Sequence, residues 1–399
     1  MFDHRATVGR SLKVLAAALV VTVITAGAAQ ALPGESPADT NGVNGRVWSV
    51  VVVGNVVWVG GTFSGITNGD NTTVVKNSPR LAAFTLGGAP AAVSVPKLTG
   101  TEVRDLVTDG VNVFAAGNFT VEGTTKKHLI RFPGTGATNA QVVGFSGSGP
   151  LKSVEVADKV YAGGSKLSAW NTSGGAKLST FKVSELTDAQ GGHDPTNLYR
   201  DLDVEGSWLY AACQCSTSTT GGVTTPVNAM TRYDLSGNID PSFSQNVIDS
   251  VGTGAYGLSV EPVGDAIFLG AGGSDFIARF NADGIDVWKR DSSGSVQGIM
   301  ALGGDILAGG HFTYLADEGS DGGGARGNSV AGLNPSGDCV LRNRLAAYWM
   351  GGGLHGWHPS VTGKYNGVWG LSASSAGLHV GGEFTRVHGV AQHYYALLR

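Results

Sequence analysis

The sequence predicts an all-β chain built from seven similar units, and three observations support this fold class. A short apolar strand ending in two small residues recurs along the chain, first as VVWVGG from Val56 and last as LHVGG from Leu378. A tight-turn sequence precedes each copy, and a further apolar strand follows it. Glycine contributes 63 of the 399 residues and charged residues only 15%, which favours turns over long amphipathic helices. We find no convincing window of helical periodicity.

The N-terminal segment is predicted to be a secretory signal peptide. A basic start is followed by apolar or small residues at 14–28 and by the small-x-small sequence AQA that ends at Ala31. A membrane anchor is the weaker explanation, because the apolar run falls short of the roughly 20 residues that span a bilayer. We therefore divide the chain into a signal peptide, residues 1–31, and a single domain, residues 32–399. The mature chain is expected to be secreted or extracellular, without a membrane span.

The pair of small residues marks the end of the second strand in each unit. Successive pairs are 39 to 72 residues apart, and repetition at such a period indicates an array of supersecondary units. Small residues at this point allow backbones to approach closely. In chain order, units one to seven carry Gly60-Gly61, Ala116-Gly117, Gly163-Gly164, Ala212-Cys213, Gly270-Ala271, Gly309-Gly310 and Gly381-Gly382.

The remaining elements of a unit follow from the same alignment. Turns such as Gly54-Asn55 tolerate the positive φ of a two-residue hairpin and separate the first strand from the second. Third strands such as FIARF from Phe276 come next, and a ragged fourth strand leads to the following unit. Such a sheet is apolar on both faces and must pack between neighbours. The sequence therefore predicts a seven-bladed β-propeller of four-stranded antiparallel blades; an open β-solenoid is the weaker alternative.

Closure of the predicted ring involves both ends of the domain. The chain reaches Arg399 directly after the third strand of unit seven, so that residues 32–45 would have to supply a fourth strand. That segment is a poor strand former, rich in Gly, Pro, Asn and Asp. We expect either loose pairing there or a three-stranded seventh blade.

Two stretches also resemble a known repeat. They are VWGLSASSAGLHVGGEFTRVHGVAQHYYALLR at the C-terminal end and VWSVVVVGNVVWVGGTFSGITNG near the start of the domain. Both resemble the delta-sixty type β-propeller repeat of exported bacterial proteins, in which a V-x-x-L strand precedes Y-V-G-G-x-F and A-x-F or A-x-L strands. GWHP at 356–359 is similar to the W-x-P element of that family. The resemblance implies a propeller and export, and it implies no established activity.

The first strand of each unit is expected nearest the propeller axis, where its polar positions form the candidate binding site. One aligned column is aromatic in three units and cationic in three. Flat rings and cations together suit an anionic or hydroxylated ligand. Arg–Asp pairing between blades and packing of the Trp rings explain the same column without a ligand, and on sequence grounds we prefer that explanation. The ligand-binding candidates are Trp48, Arg104, Lys152, Arg200, Tyr256 and Trp369.

These features favour a secreted or cell-surface binding module with a glycan or a surface protein as partner. The alternative is a glycan-active hydrolase or lyase with its site at the axis, where Glu102, Asp105 and Asp201 would meet. Neighbouring arginines are expected to keep Asp105 and Asp201 ionised, which suits ion pairs better than a general acid. No G-x-S-x-G, H-E-x-x-H or Walker sequence occurs, so we assign no catalytic residue and leave the question of catalysis open.

Other ligand classes are less well supported. The net charge of −4 and the lack of a basic run argue against nucleic acid. We expect a monomer without a cofactor, with structural calcium in an oxygen-rich loop as the one weak alternative. The Gly-rich loop around His355 and His358 lacks a strict zinc pattern, so no metal site is assigned. The residues of the candidate calcium loops are Asp70 in unit one and Asp317, Glu318 and Asp321 in unit six.

The cysteines do not form a disulfide framework. There are only three, so one is left over after any pairing. Pairing of Cys339 with Cys213 or Cys215 is compatible with an exported chain, and spacing alone does not decide the connectivity.

Overall fold

Nearly all regular structure in the computed structural model of the protein is β-strand, as predicted. The structure describes residues 31–188, 198–252, 254–317, 339–363 and 367–399. Residues 1–30, which hold most of the predicted signal peptide, lie outside this set. The exceptions to β structure are the α-helix Pro241–Val251 and the one-turn 3₁₀ helix Asn139–Gln141. No helix of the described residues is long and apolar enough to cross a membrane.

Seven sheets share one plan, in which the first strand pairs with the second and the second with the third, always antiparallel. The first strands of units one to seven are Val47–Val53, Leu98–Thr108, Ser153–Val156, Tyr199–Glu205, Tyr256–Val263, Val296–Leu302 and Gly367–Ser374. The second strands are Val56–Gly61, Asn112–Val121, Val160–Gly163, Trp208–Cys213, Ala266–Gly272, Asp305–Gly310 and Gly377–Glu383. The third strands are Leu81–Thr85, Lys127–Pro133, Lys166–Trp170, Met230–Asp234, Phe276–Phe280, Leu345–Trp349 and Tyr395–Leu398.

The fourth position varies between the units. Units two, three and five have a fourth strand at Val143–Gly144, Ser184–Thr187 and Asp286–Asp291. In the other units only an isolated bridge reaches the third strand, and proline occupies this position in units one and seven, where it cannot donate a ladder hydrogen bond. Four regular strands in every unit are therefore not seen among the described strands. The isolated bridges are Phe84–Pro90, Tyr233–Ile239, Tyr348–Leu354 and Pro37–Leu398.

Further short strands are built from the loops after the second strands and from the segments before the first strands of units one and seven. Two of them, Thr217–Thr220 and Val223–Pro226, extend the sheet of unit three to six strands. The others form small separate sheets at Gly42–Val43, Gly65–Thr67 and Val74–Asn77, at Tyr314–Ala316 and Cys339–Leu341, and at Val361–Thr362, Arg386–Val387 and Val390–Ala391.

The first strands form a ring around one channel. Each contacts the first strands of the units before and after it, and the first strand of unit seven contacts that of unit one. All seven line one cavity of about 250 Å³. At the junction, Ala38 N donates to Leu397 O (2.8 Å) and Gly34 N donates to Arg399 O (2.5 Å). The N-terminal segment therefore pairs loosely beside the third strand of unit seven, one of the two expected outcomes.

The small pairs pack as the sequence predicted. In unit one, a Cβ on Gly60 would lie 2.7 Å from Val103 Cγ1 of the next unit, and a Cβ on Gly61 would lie 2.1 Å from Arg46 O. The first residue of the pair thus brings two sheets together, and the second brings a strand against the backbone of its own sheet. Any side chain larger than a hydrogen atom would require the backbone to move at Gly61.

A β-bulge interrupts the first strand in six of the seven units. The register shift lies between Val47 and Ser49 in unit one and at the equivalent point in units two, four, five, six and seven. A bulge leaves one residue out of the ladder and redirects its side chain. The residues that the strand ladder skips are Trp48, Arg104, Arg200, Leu258, Gln297 and Trp369.

The residue after the bulge connects neighbouring units. Ser49 Oγ accepts from Leu106 N (3.1 Å), and Asp105 Oδ2 accepts from Val154 N (2.8 Å). Asp201 Oδ2 accepts from Val260 N at 3.0 Å, again in the next unit. Buried polar side chains thereby satisfy buried backbone donors and fix the spacing between first strands.

The position after the bulge is glycine in units six and seven. A Cβ on Gly298 would lie 2.2 Å from Trp369 O, so the backbones of these two units come too close for any side chain. Side-chain hydrogen bonds therefore connect the first strands of units one, two and four to those of the units that follow, and direct contact between backbones connects units six and seven.

The helix in unit four was missed in the sequence. Asp240 caps it by accepting from Ser242 N (3.0 Å) and Phe243 N (3.1 Å), and Pro241 occupies its first turn. Its buried side chains include Phe243, Val247 and Val251, four residues apart. An Asp-Pro start before that spacing was an available signal.

A disulfide joins Cys213 to Cys215, so Cys339 does not pair with either of them. Cys213 ends the second strand of unit four, and the turn that follows holds the two Cα atoms 5.4 Å apart. This separation lies within the normal range for a disulfide.

We predict that Gly298→Ala destabilises the protein by about 1–3 kcal/mol, because the methyl group would collide with the Trp369 carbonyl of the next unit. The matched control is Gly304→Ala in the turn of the same hairpin, where an added Cβ has no neighbour within 4 Å. Equilibrium denaturation in urea measures both variants. Equal midpoints for the two would contradict the close approach.

Candidate functional site

The six residues that the strand ladder skips at the bulges converge at one end of the channel. Together with Arg46, which precedes the first strand of unit one, they surround a cavity of about 230 Å³. Five of the six belong to the column that was aligned from the sequence, and Leu258 is the exception. We call this group the channel mouth; its residues are Arg46, Trp48, Arg104, Arg200, Leu258, Gln297 and Trp369.

Arginine side chains stack on two tryptophan rings in the channel mouth. The Trp48 and Trp369 rings meet edge to face with centroids 4.6 Å apart. The Arg104 Cζ atom lies 3.7 Å from the Trp48 centroid. Arg46 Cζ lies 4.7 Å from the Trp48 centroid and 5.4 Å from that of Trp369. Cation–π contacts therefore hold two guanidinium groups at the rim of the cavity.

Two of the three arginines in the channel mouth contact neighbouring polar side chains. Arg46 pairs with Glu383 (2.7 Å), and Arg200 donates to Gln214 Oε1. Burial, with smaller contributions from the charges of Arg200 and Arg46, lowers the pKa of Arg104 to about 10, although the carboxylates of Glu102 and Asp105 act in the opposite direction. Three guanidinium groups around one small cavity make an anion the favoured occupant.

Two uncharged side chains of the mouth have a buried polar atom without a hydrogen-bond partner among the described residues. These atoms are the indole Nε1 of Trp48, a donor, and the amide Oε1 of Gln297, an acceptor. The amide nitrogen of Gln297 is engaged, at 3.2 Å from His311 Nδ1. Buried groups without partners are costly, so the wall of this cavity offers one donor and one acceptor to an occupant.

Lys152 lies in the channel and not in the mouth. Its Nζ atom is 2.6 Å from Glu102 Oε1, an ion pair between units three and two. The residue lines the channel as expected, and its charge is already compensated. Lys152 is therefore a structural contact between units in this arrangement.

The placement of Tyr256 at the axis was wrong. It begins the first strand of unit five, but the bulge of that strand lies between Gly257 and Ser259, so Leu258 takes the position equivalent to Trp48. Tyr256 instead lines a separate cavity near Cys215 and the helix. Leu258 and Val260 are both aliphatic and two residues apart, so alignment of the strands by their apolar residues placed unit five two positions out of register.

Deeper in the channel lie three carboxyl groups that the sequence analysis did not single out. Glu155, Asp203 and Glu261 occupy the same level of the first strands in units three, four and five. We call these three residues the acidic cluster. Once the bulge places Leu258 in the column of Lys152 and Arg200, each carboxyl residue stands three residues beyond that column.

The surroundings of the acidic cluster favour the protonated form of its carboxyl groups. Removal from bulk water raises the pKa of Glu261 to about 7, and repulsion from Asp201 and Glu205 adds to this shift, although Ala301 N donates to its Oε1 (3.1 Å). Burial and mutual repulsion also raise the pKa values of Glu155 and Asp203. All three side chains line the channel and are half-buried there.

The expected effect of the arginines on Asp105 and Asp201 was wrong. Burial raises the pKa of Asp105 above its usual value, and it raises that of Asp201 to about 7. Neither carboxyl group belongs to an ion pair of the described residues; each accepts backbone N–H groups instead. Desolvation outweighs the charge of Arg104, whose guanidinium stacks on Trp48.

The histidine and loop positions considered for metals have structural contacts. His358 Nε2 accepts from Asn343 N (3.1 Å), and His355 Nδ1 accepts from Trp357 N (3.1 Å). Asp70 accepts from Thr72, and Asp317 accepts from Leu354 N. Glu318 and Asp321 lie outside the described residues. Among the described residues no group of three or more His, Cys, Asp or Glu side chains is arranged to hold a metal ion.

No family model and no curated protein matches the sequence. Among solved structures, the chain is similar to the computationally designed Ika8 protein, at 12% identity and a TM-score of 0.43 over 91% of this chain and 92% of that one. It is also similar to the WD40 β-propeller domain of Doa1, at 11% identity and a TM-score of 0.49 over 88% and 94%. BamB from Moraxella catarrhalis matches at 14% identity and a TM-score of 0.42 over 84% and 80%. These similarities are too distant to bear on the site.

We predict that stability falls as pH rises from 5 to 8. The carboxyl groups in the channel have higher pKa values folded than unfolded, so the folded state binds more protons in this window and loses stability as they leave. Allowing for water in the channel, the loss is about 2–4 kcal/mol. Asp203→Asn should raise stability at pH 8 and flatten the profile.

The control is Asp265→Asn in an exposed turn, which should leave the profile unchanged. Urea denaturation at several pH values measures all three proteins. The raised pKa values of the channel carboxyl groups would be contradicted if the free energy of unfolding of the wild type rose between pH 5 and 8. They would also be contradicted if the free energy of unfolding of Asp203→Asn depended on pH as strongly as that of the wild type.

Proposed function

We propose that this chain is an exported seven-bladed β-propeller of the delta-sixty type that acts as a binding module. Support comes from the signal-like N-terminal sequence, from seven repeats of one strand pattern, and from the ring of first strands around one channel. Its ligand enters at the channel mouth. Propellers serve many functions, so the proposal rests on the chemistry of this site.

The observation that carries the proposal is the convergence of Arg46, Arg104 and Arg200 with two tryptophan rings around one cavity. The Arg–Asp pairs expected at Asp105 and Asp201 are not among the ion pairs of the described residues, and the guanidinium groups of Arg46 and Arg104 stack on the tryptophan rings at the cavity instead. Guanidinium groups held against rings are pre-organised for a carboxylate or a similar anion. The flat rings add a surface for a sugar or an apolar segment.

An array of matched probes tests this function. It contains uronic-acid oligosaccharides beside neutral ones of equal length, and acidic peptides beside their amidated forms. We expect the carboxylated probes to bind and their neutral counterparts to bind more weakly. Arg104→Gln should weaken binding by about 10- to 100-fold, the effect of losing a charge-assisted contact.

The matched control is Arg386→Gln, an exposed arginine of unit seven that bonds to Gly389 O and lies away from the mouth. Its binding should equal that of the wild type. Lack of binding by the wild type to any carboxylated probe, or full affinity in Arg104→Gln, would overturn the proposal. Circular dichroism verifies that both variants are folded.

Cleavage of a glycan by a hydrolase or lyase reaction is the second candidate function. It is favoured by the raised pKa values of Glu155, Asp203 and Glu261, since a general acid must hold its proton near neutral pH. In that case the wild type releases new reducing ends from uronic-acid oligosaccharides, and Glu261→Gln abolishes release while it still binds them. Binding without any release leaves the binding module as the function.

A further inference from the structure

We propose that the channel recognises a dipolar ligand, with a carboxylate at the channel mouth and an ammonium group at the acidic cluster. This inference rests on the proposed function, because the channel mouth supplies the anion site. The ligand class is that of an ω-amino acid: one anionic end, one cationic end and a short spacer.

The two sets of charges belong to one continuous cavity. The same lining includes Arg104 and Arg200 from the mouth and Glu155, Asp203 and Glu261 from the acidic cluster. Arg200 and Asp203 lie on one strand, three residues apart. At about 3.3 Å per residue, the two levels are separated by roughly 10 Å. A ligand that reaches both levels therefore needs an extended spacer of that length.

Within the part of the chain that the structure describes, no lysine or arginine forms an ion pair with the acidic cluster. None of the ion pairs formed by the described residues includes Glu155, Asp203 or Glu261. The hydrogen bond to Glu261 from Ala301 N is a backbone contact and brings no charge. Three half-buried carboxyl groups that line the channel are an electrostatic complement to an ammonium ion that enters there.

The charges occupy one side of the ring. The strands of units one, two, six and seven carry uncharged residues at the level of the acidic cluster. The carboxyl groups therefore face the channel from three consecutive strands and not from opposite walls. An organic cation can lie against such a wall and donate up to three hydrogen bonds from one nitrogen. The uncharged residues are Val51, Val107, Met300 and Ser372.

Electrostatics within the channel point the same way. Burial, together with repulsion between the carboxyl groups, raises the pKa values of Glu155 and Asp203, and an ammonium ion placed among these groups would remove the repulsion. Ligand binding should then release protons from the protein near neutral pH. The carboxylate at the mouth would at the same time neutralise the guanidinium groups of Arg104 and Arg200.

Three probes of equal chain length separate the two subsites: 8-aminooctanoate, octanoate and octylammonium. Binding is measured by calorimetry and by the fluorescence of Trp48 and Trp369 at pH 8. We expect 8-aminooctanoate to bind at least 10-fold more tightly than octanoate, because it alone engages both levels. In the double variant Asp203→Asn/Glu261→Gln the two affinities should become equal, with octanoate binding unchanged.

The matched control is Ser372→Ala, at the same level on the first strand of unit seven. It should keep the full preference for 8-aminooctanoate. Retained octanoate binding shows that the double variant is folded at the mouth. The amide oxygen that Glu261→Gln introduces can still accept from Ala301 N, which limits damage to the strand contact.

The outcomes distinguish this inference from the proposed function. Equal wild-type affinities for 8-aminooctanoate and octanoate overturn the dipolar ligand and leave the anion-binding mouth intact. If the double variant still prefers 8-aminooctanoate to octanoate, the dipolar ligand is likewise overturned and the anion-binding mouth stands. Absence of binding by all three probes overturns both proposals. Stabilisation of the wild type but not of the double variant by calcium chloride would assign the acidic cluster to a metal ion and overturn the ammonium site.

Discussion

The arrangement of the seven sheets depends on one hydrogen bond, which the side chain of the residue after the bulge accepts from the first strand of the next unit. Ser49, Asp105 and Asp201 each accept from a backbone N–H of the following unit. These donors lie on the channel side of their strands and have no sheet partner there, so they need a buried acceptor. The contact repeats around much of the ring and sets both the angle between sheets and the width of the channel.

The same feature creates the site. A bulge is needed to place the accepting side chain against the neighbour, and the residue that it leaves unpaired is pushed into the channel. Trp48, Arg104 and Trp369 are such residues. Variation at these positions leaves the ladder intact, because they make no ladder hydrogen bonds. The ring can therefore change its binding chemistry at little cost to the fold.

The repeat pattern and the small pairs predicted the sheets well, because Gly60 and Gly61 respond to steric limits that any sequence must obey. The position of Tyr256 was not predictable from apolar alternation, since the alternation has a period of two residues and fits Leu258 or Val260 equally well in the aliphatic column. The raised pKa values of Asp105 and Asp201 were also missed. They depend on burial by other units, and adjacency to arginine in sequence does not reveal which group the guanidinium contacts.

The charge distribution of the channel is difficult to explain by stability alone. Guanidinium groups crowd the mouth, and carboxyl groups with raised pKa values lie roughly 10 Å below them, yet the acidic cluster joins none of the ion pairs of the described residues. Like charges held together cost stability, and a backbone this regular accommodates serine or valine at the same levels, as units one, two and seven show. Residues that cost stability in a fold that does not need them are characteristic of binding sites. The separation of the two charges, and not either charge alone, is the property that a ligand of this channel must match.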